Sequence, residues 1–181
     1  MARYFFVLAL FGLVGCVNLG RPISPLIWAS RDGDTARLKE LIKAGADVDA
    51  RGGVNDWTPI MHAVHKNQAA ALKILLRAGA DVNAVAGNQT ALIMAAGYGQ
   101  ADLVRMLLDY GADPRAFNGA ALDAAVSGTT DIDRFTVGHC QSQTVKALLE
   151  RDPSLRLTGG SWATRAARLG GCKEVLALLN R

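Results

Sequence analysis

The chain has little of what usually announces chemistry. Of its 181 residues only 6% are aromatic, three are cysteine and three are histidine. Those histidines and cysteines form no Cys-x-x-Cys pair and no His-Glu-x-x-His, so the spacings that build a zinc centre are missing. His139-Cys140 sets a base beside a nucleophile in sequence only, because chain neighbours seldom present both side chains to one substrate. A phosphate-cradling glycine loop is absent, and Gly52-Gly53 reads better as the tip of a hairpin. Charge of one sign is scarce as well. The 20 basic and 16 acidic side chains leave +4, scattered and without a basic stripe interleaved with aromatics, which argues against nucleic acid as a partner. These absences lead us to expect no catalysis, no cofactor and no bound metal.

What the sequence has instead is repetition. Thr58-Pro59-Ile60-Met61-His62-Ala63-Val64 is answered by Thr90-Ala91-Leu92-Ile93-Met94-Ala95-Ala96, and each copy runs through a Leu-rich segment to Gly-Ala-Asp. The same template finds Ser24-Pro25-Leu26-Ile27-Trp28-Ala29-Ser30 upstream and weaker copies at Ala120 to Val126 and Ser161 to Ala167. Equivalent apolar positions Leu26, Ile60, Leu92, Leu122 and Ala163 lie 34, 32, 30 and 41 residues apart. A period in this range signals stacked supersecondary units rather than a globular core.

Each part of the unit has a physical reason. Ser24, Thr58 and Ser161 are placed to cap a helix through their hydroxyls, and Pro25 and Pro59 follow where a missing N–H costs nothing. Small residues such as Ala63, Ala95 and Ala96 let neighbouring helices approach closely. Gly33, Asn67, Gly99 and Gly170 are expected to turn the chain in the left-handed region. A second helix then shows apolar spacing at i, i+3 and i+4, as in Leu72-Leu75-Leu76 and Val104-Leu107-Leu108, and Gly45, Gly79 and Gly111 close it. One such pair cannot bury its apolar face alone, so the copies must stack.

Spacing near 33, the Thr-Pro-Leu-His-like opening and Gly79-Ala80-Asp81-Val82-Asn83-Ala84 resemble the ankyrin repeat. The resemblance implies an all-α ankyrin-repeat solenoid of about five helix-turn-helix units joined by short β-hairpin loops, over residues 24–181. The units fall at about 24–56, 57–88, 89–118, 119–159 and 160–181. It also implies recognition of a protein partner by a monomer, through the concave face and the hairpin tips. Carried over position by position, the tips contribute Arg51, Asn55, Asp56 and Trp57, then Val85, Asn88 and Gln89, then Arg115, Phe117 and Asn118. The groove-facing helix ends contribute Arg31, His65, Lys66 and Tyr98. Trp57, Tyr98 and Arg51 lead, being of the types enriched at binding hot spots, although Trp57 equally suits a staple between tips, and His62 suits the core better than a ligand.

The pattern also departs from the family. The histidine of the opening is replaced by Ile27, Met61, Ile93, Asp123 and Thr164, so its hydrogen bonds between tips must be supplied otherwise or lost. Arg151-Asp152-Pro153 stands where Gly-Ala-Asp would, and Ser127 to Cys140 carries an insertion of about eleven residues. Repeat five stops at Asn180-Arg181, with Arg165, Arg168, Lys173 and Glu174 offering the polar outer face of a terminal cap.

Residues 1–15 are set apart from the repeats. Arg3 precedes an apolar run from Tyr4 to Val14, too short for a bilayer span and of the length and charge pattern of an export signal. It ends in Leu13-Val14-Gly15-Cys16, which resembles the bacterial lipobox and implies lipid on Cys16, with residues 16–23 as a short tether. No Asp follows Cys16, which favours the outer membrane of the cell envelope, facing the periplasm. Cys140 and Cys172 then remain as a pair in a disulfide-permissive compartment. Alignment puts both on one edge of the stack, yet neighbouring repeats are spaced more widely than the roughly 5.5 to 6 Å a disulfide prefers, so a bridge and two free thiols both stand. The function classes that survive are a membrane-tethered interaction module, an immunity or inhibitor lipoprotein that neutralises a toxin or enzyme, and an envelope structural or stress-tolerance factor.

Overall fold

The computed structural model describes residues 22–53, 55–128, 140–158, 165 and 167–180. The expected leader and tether up to residue 21, with Cys16, lie outside the described residues. So do most of the insertion, including His139, and the opening of repeat five from Ser161 to Thr164.

Helices come in pairs. Repeat one supplies α1 (Pro25–Asp32) and α2 (Thr35–Lys43), repeat two α3 (Pro59–His65) and α4 (Ala69–Arg77), and repeat three α5 (Ala91–Gly97) and α6 (Ala101–Asp109). Repeat four supplies α7 (Ala116–Ser127) and α8 (Ser142–Arg151), and repeat five ends in α9 (Lys173–Leu179). First helices pack in one layer, α1 on α3, α3 on α5 and α5 on α7, while α2 meets α4, and α8 meets both α6 and α9 in the other.

Side-chain size divides the two layers. Ala63, Ala95, Ala96, Ala121 and Ala125 are buried in the first-helix layer, where a larger residue would force the stack apart. Leu38, Leu72, Leu75, Leu103, Leu107 and Leu148 fill the space between layers at 2% exposure or less. Each contributes on the order of 1.5–3 kcal/mol by leaving water, and they form one continuous core cluster from Leu26 to Val175.

Local signals set the ends of the helices. The Ser24 hydroxyl accepts the Ile27 N–H and the Thr90 hydroxyl accepts that of Ile93, each at 3.3 Å. Thr58 occupies the same cap position, but its buried hydroxyl finds no partner among the described residues, so its expected capping bond is not made. Gly33, Asn67 and Gly99 adopt positive φ as expected. In repeat five it is Gly171 rather than Gly170, because the left-handed residue must directly precede the cap of the second helix, here Cys172.

The hairpins are smaller than the family pattern implies. At two tips each is reduced to a single antiparallel bridge, Gly52 with Trp57 and Ala86 with Gln89. Gly52 is needed there, since a Cβ would lie 2.8 Å from the Pro22 carbonyl oxygen. Before repeat four there is a left-handed turn instead, with Phe117, Asn118 and Gly119 at φ 51, 58 and 81. The irregular copy at Arg151-Asp152-Pro153 keeps the essential feature. The carboxylates of Asp47, Asp81, Asp113 and Asp152 each accept a backbone N–H two residues on, so Asp152 is the true equivalent of the Gly-Ala-Asp aspartate.

Polar bonds fasten each unit to the next. Asp49 accepts the Asp81 N–H at 2.9 Å, Asn83 accepts the Asp113 N–H at 2.8 Å, and Arg115 donates to Asp152 at 2.5 Å. The missing opening histidine is replaced in repeat four by Asp123, which accepts from the Thr158 backbone at 3.0 Å and from its hydroxyl. A second series runs along the caps of the second helices. Gln100 donates to the Val64 carbonyl at 2.9 Å and Gln141 to that of Gly97 at 3.1 Å, while the Gln68 side chain fills the space over Gly33. Cys172 holds the same cap position, and there the joint is covalent, to Cys140, with Cα atoms 5.2 Å apart. The spacing between whole helices is therefore the wrong measure for this pair. The cap of one unit reaches back to the turn of the unit before, and cysteines at those two places fall within bonding distance.

Candidate interaction groove

The tips of repeats two and three and the first helices of repeats three and four enclose an open groove of about 730 Å³. Asn55 and Trp57 form one wall, the Ala86 to Gln89 tip another, and Ser127 and Gly128 the far end. Its floor is built from Ile93, Met94, Gly97 and Ala124, of which Met94 is 4% exposed. Small residues at Gly97 and Ala124 keep the floor low.

Trp57 is placed by the Gly52–Trp57 bridge, in which the two residues exchange both backbone hydrogen bonds at 3.1 Å. Its ring meets His62 edge-on at 5.5 Å and His65 at 5.1 Å, and His65 lies 5.9 Å from Tyr98. A row of rings thus runs from the tip of repeat two to the end of α5. Trp57 is both a staple and a groove wall. His62 belongs to the core, and its burial pushes the imidazole below its ordinary pKa, opposed by a contact of its Nε2 with the Gly52 carbonyl at 3.5 Å and assisted by His65 and Arg31.

Of the residues expected to meet a partner, the groove gathers Asn55, Trp57, Asn88, Gln89 and Tyr98, with His65 beside the Trp57 and Tyr98 rings. Arg51 is otherwise engaged, since its guanidinium donates to the Val85 carbonyl at 2.8 Å and ties two tips together. Asp56 sits at positive φ in the repeat-two tip, and Lys66 forms the C-cap of α3. Val85 and Phe117 are exposed on their tips, at 41% and 43%, but neither lines the groove. Arg31 stands apart over the exposed Trp28 ring, 5.1 Å from its centroid. Met94, Ser127 and Gly128 are lining residues that the tip pattern did not reveal, because their exposure depends on how α5 and α7 stack. Among the described residues no three His, Cys, Asp or Glu side chains converge as metal ligands would, and no helix is long and apolar enough to cross a membrane.

A row of helix pairs with a passive groove along its tips is the signature of a repeat scaffold for macromolecular recognition. Residues 8–86 and 26–118 match the family model of ankyrin repeats (3 copies), more than half of the chain, and the chain belongs to the ankyrin-repeat family. The first of these matches begins within the stretch read as a leader. Among curated proteins no match was found. Ankyrin repeats are in general protein–protein interaction modules and typically act without catalysis.

Proposed function

We propose that this chain is a lipid-tethered docking module of a bacterial envelope, held through Cys16 and binding one protein partner in the groove between its second and fourth repeats. It acts by binding rather than by chemistry, as a monomer, and favours the periplasmic side of the outer membrane.

The observation that carries the binding half is the convergence of Trp57, Gln89 and Tyr98 on one groove. Aromatic side chains there are held by neighbouring rings, so little conformational freedom is lost when a partner covers them. The tethering half rests on the Arg3, Tyr4 to Val14 and Leu13-Val14-Gly15-Cys16 pattern. A disulfide between Cys140 and Cys172 supports it, because such bonds persist in oxidising compartments.

Affinity capture from membrane extract tests the first half. One stoichiometric protein, retained by the native chain and lost with Trp57→Ala plus Tyr98→Ala, is the expected result, and undiminished recovery would sink the groove. Metabolic labelling with a fatty acid tests the second. Label should enter the native chain and disappear with Cys16→Ser, and an unlabelled native chain would remove the anchor.

A further inference from the structure

The groove has a chemical character that narrows the kind of segment it accepts. Among the described residues that line it, none carries a formal charge at neutral pH: they are Asn, Trp, Ala, Gly, Gln, Ile, Met, Tyr and Ser. In a chain that is 20% Asp, Glu, Lys and Arg, this leaves a neutral strip on an otherwise charged molecule.

Its amides are also uncommitted. Asn83, Gln100 and Gln141, away from the groove, donate their side-chain amides to carbonyls of neighbouring repeats. Asn55, Asn88 and Gln89 are exposed on the groove walls, and none of their carboxamides bonds to another described residue. A carboxamide presents a donor and an acceptor side by side, the same pair offered by a peptide unit. Between these walls lie the Trp57 and Tyr98 rings, above an apolar floor to which the largely buried Met94 contributes.

We propose that the groove takes an uncharged, extended peptide segment of the partner, its main-chain amides met by Asn55, Asn88 and Gln89 and an apolar or aromatic side chain set against Trp57, Met94 and Tyr98. This rests on the docking role given above and adds its specificity. A lysine or glutamate pushed into the groove would lose water and gain no opposite charge from the described lining residues, whereas a neutral segment can recover its hydrogen bonds from the carboxamides of the walls. Neutral carboxamides beside aromatic rings also suit a sugar. The apolar floor of Ile93 and Met94 and the family's habit of binding proteins favour the peptide.

The test is selection of a randomised displayed peptide library on the full chain, with Trp57→Ala plus Tyr98→Ala as the counter-selecting variant. Sequences without Asp, Glu, Lys or Arg at the central positions and with an aromatic or aliphatic anchor should be enriched. Their affinity should change less than about twofold between low and high salt, where pairing of charges would change it about tenfold or more. Asn88→Asp, at an exposed position that leaves the fold intact, should weaken these peptides about tenfold, and Lys73→Ala on α4 should not. Enrichment of charged peptides that still depends on Trp57 and Tyr98 overturns the specificity while leaving the docking role standing. Groove-dependent binding on a glycan array, with no peptide selected, overturns the peptide assignment. Failure of both libraries also overturns it, and capture from membrane extract then tells separately whether the groove binds any partner.

Discussion

Repeats two and three differ from repeats four and five in how the same joint is made. In the middle of the stack a glutamine reaches back from the cap of one second helix to the preceding unit, as Gln100 does to Val64. At the end a cysteine occupies that cap and is covalently bound to Cys140. Burial differs in parallel. Leu72, Leu75, Leu103 and Leu107 are sealed at 2% exposure or less, whereas Leu176, Leu178 and Leu179 of α9 are only partly covered and Leu169 is 80% exposed. Where neighbours on both sides supply apolar burial, hydrogen bonds suffice to set the register. Where the main helix partner of α9 among the described residues is α8, the weaker apolar contact is backed by a covalent link.

The largest effect should follow from emptying the sealed middle. Leu107→Ala removes a fully buried side chain between α6 and its neighbours, and should cost about 2–5 kcal/mol in denaturant unfolding. Because the core is continuous, protection from hydrogen exchange should fall along the whole stack. Loss confined to repeat three would break the picture of a shared core.

Next comes the covalent joint. The bridge spans 32 residues of sequence, and removing such a cross-link costs about 2–4 kcal/mol. For Cys172→Ser we expect that loss to appear as faster exchange in residues 167–180, with α4 and α6 unchanged. An equal loss in α4 would mean that the end is no more dependent on its staple than the middle. The amide joint should matter less. Gln100→Ala leaves the buried Val64 carbonyl without its donor, at about 1–3 kcal/mol, and the change should be centred between repeats two and three.

Much of this was legible in the chain, and what was not has a physical reason. Helix positions follow from caps, glycines and apolar spacing, all local, and the structure moves them little beyond exchanging Gly170 for Gly171. The joints between units are non-local, and they were read by the wrong distance. The sequence leaves Cys140 and Cys172 open between a bridge and two free thiols, because the spacing of whole helices overstates an approach that runs from cap to preceding turn. A signal was present nonetheless: Asn67-Gln68, Gly99-Gln100, Cys140-Gln141 and Gly171-Cys172 form one column of turn and cap. The site was half visible. Trp57 and Gln89 follow from the tip pattern and Tyr98 from the helix ends, whereas the bond from Arg51 to the Val85 carbonyl and the place of Met94 in the groove floor depend on how the units stack.

The smallest effect separates the two regions by pH. His62, in the middle, is held below its ordinary pKa of 6.5, chiefly by burial. The unfolded chain therefore takes up this proton first as pH falls, so the contribution of neutral His62 is complete above about 6.5 and drains away below it. Asp152, at the end, is held well below its ordinary 3.8 by hydrogen bonds from Arg115 and Ser154. Its contribution has the same sign but a lower window, complete above about 3.8 and lost only under stronger acid. Mild acidification from about pH 7 to about pH 5 should therefore lower Tm and raise exchange around the repeat-two tip while the Arg115–Asp152 contact holds. His62→Gln should remove that mild-acid phase and leave the strong-acid one, and Arg115→Met should do the reverse. If the mild-acid phase survives His62→Gln, the buried imidazole is not what ties the middle of the stack to pH.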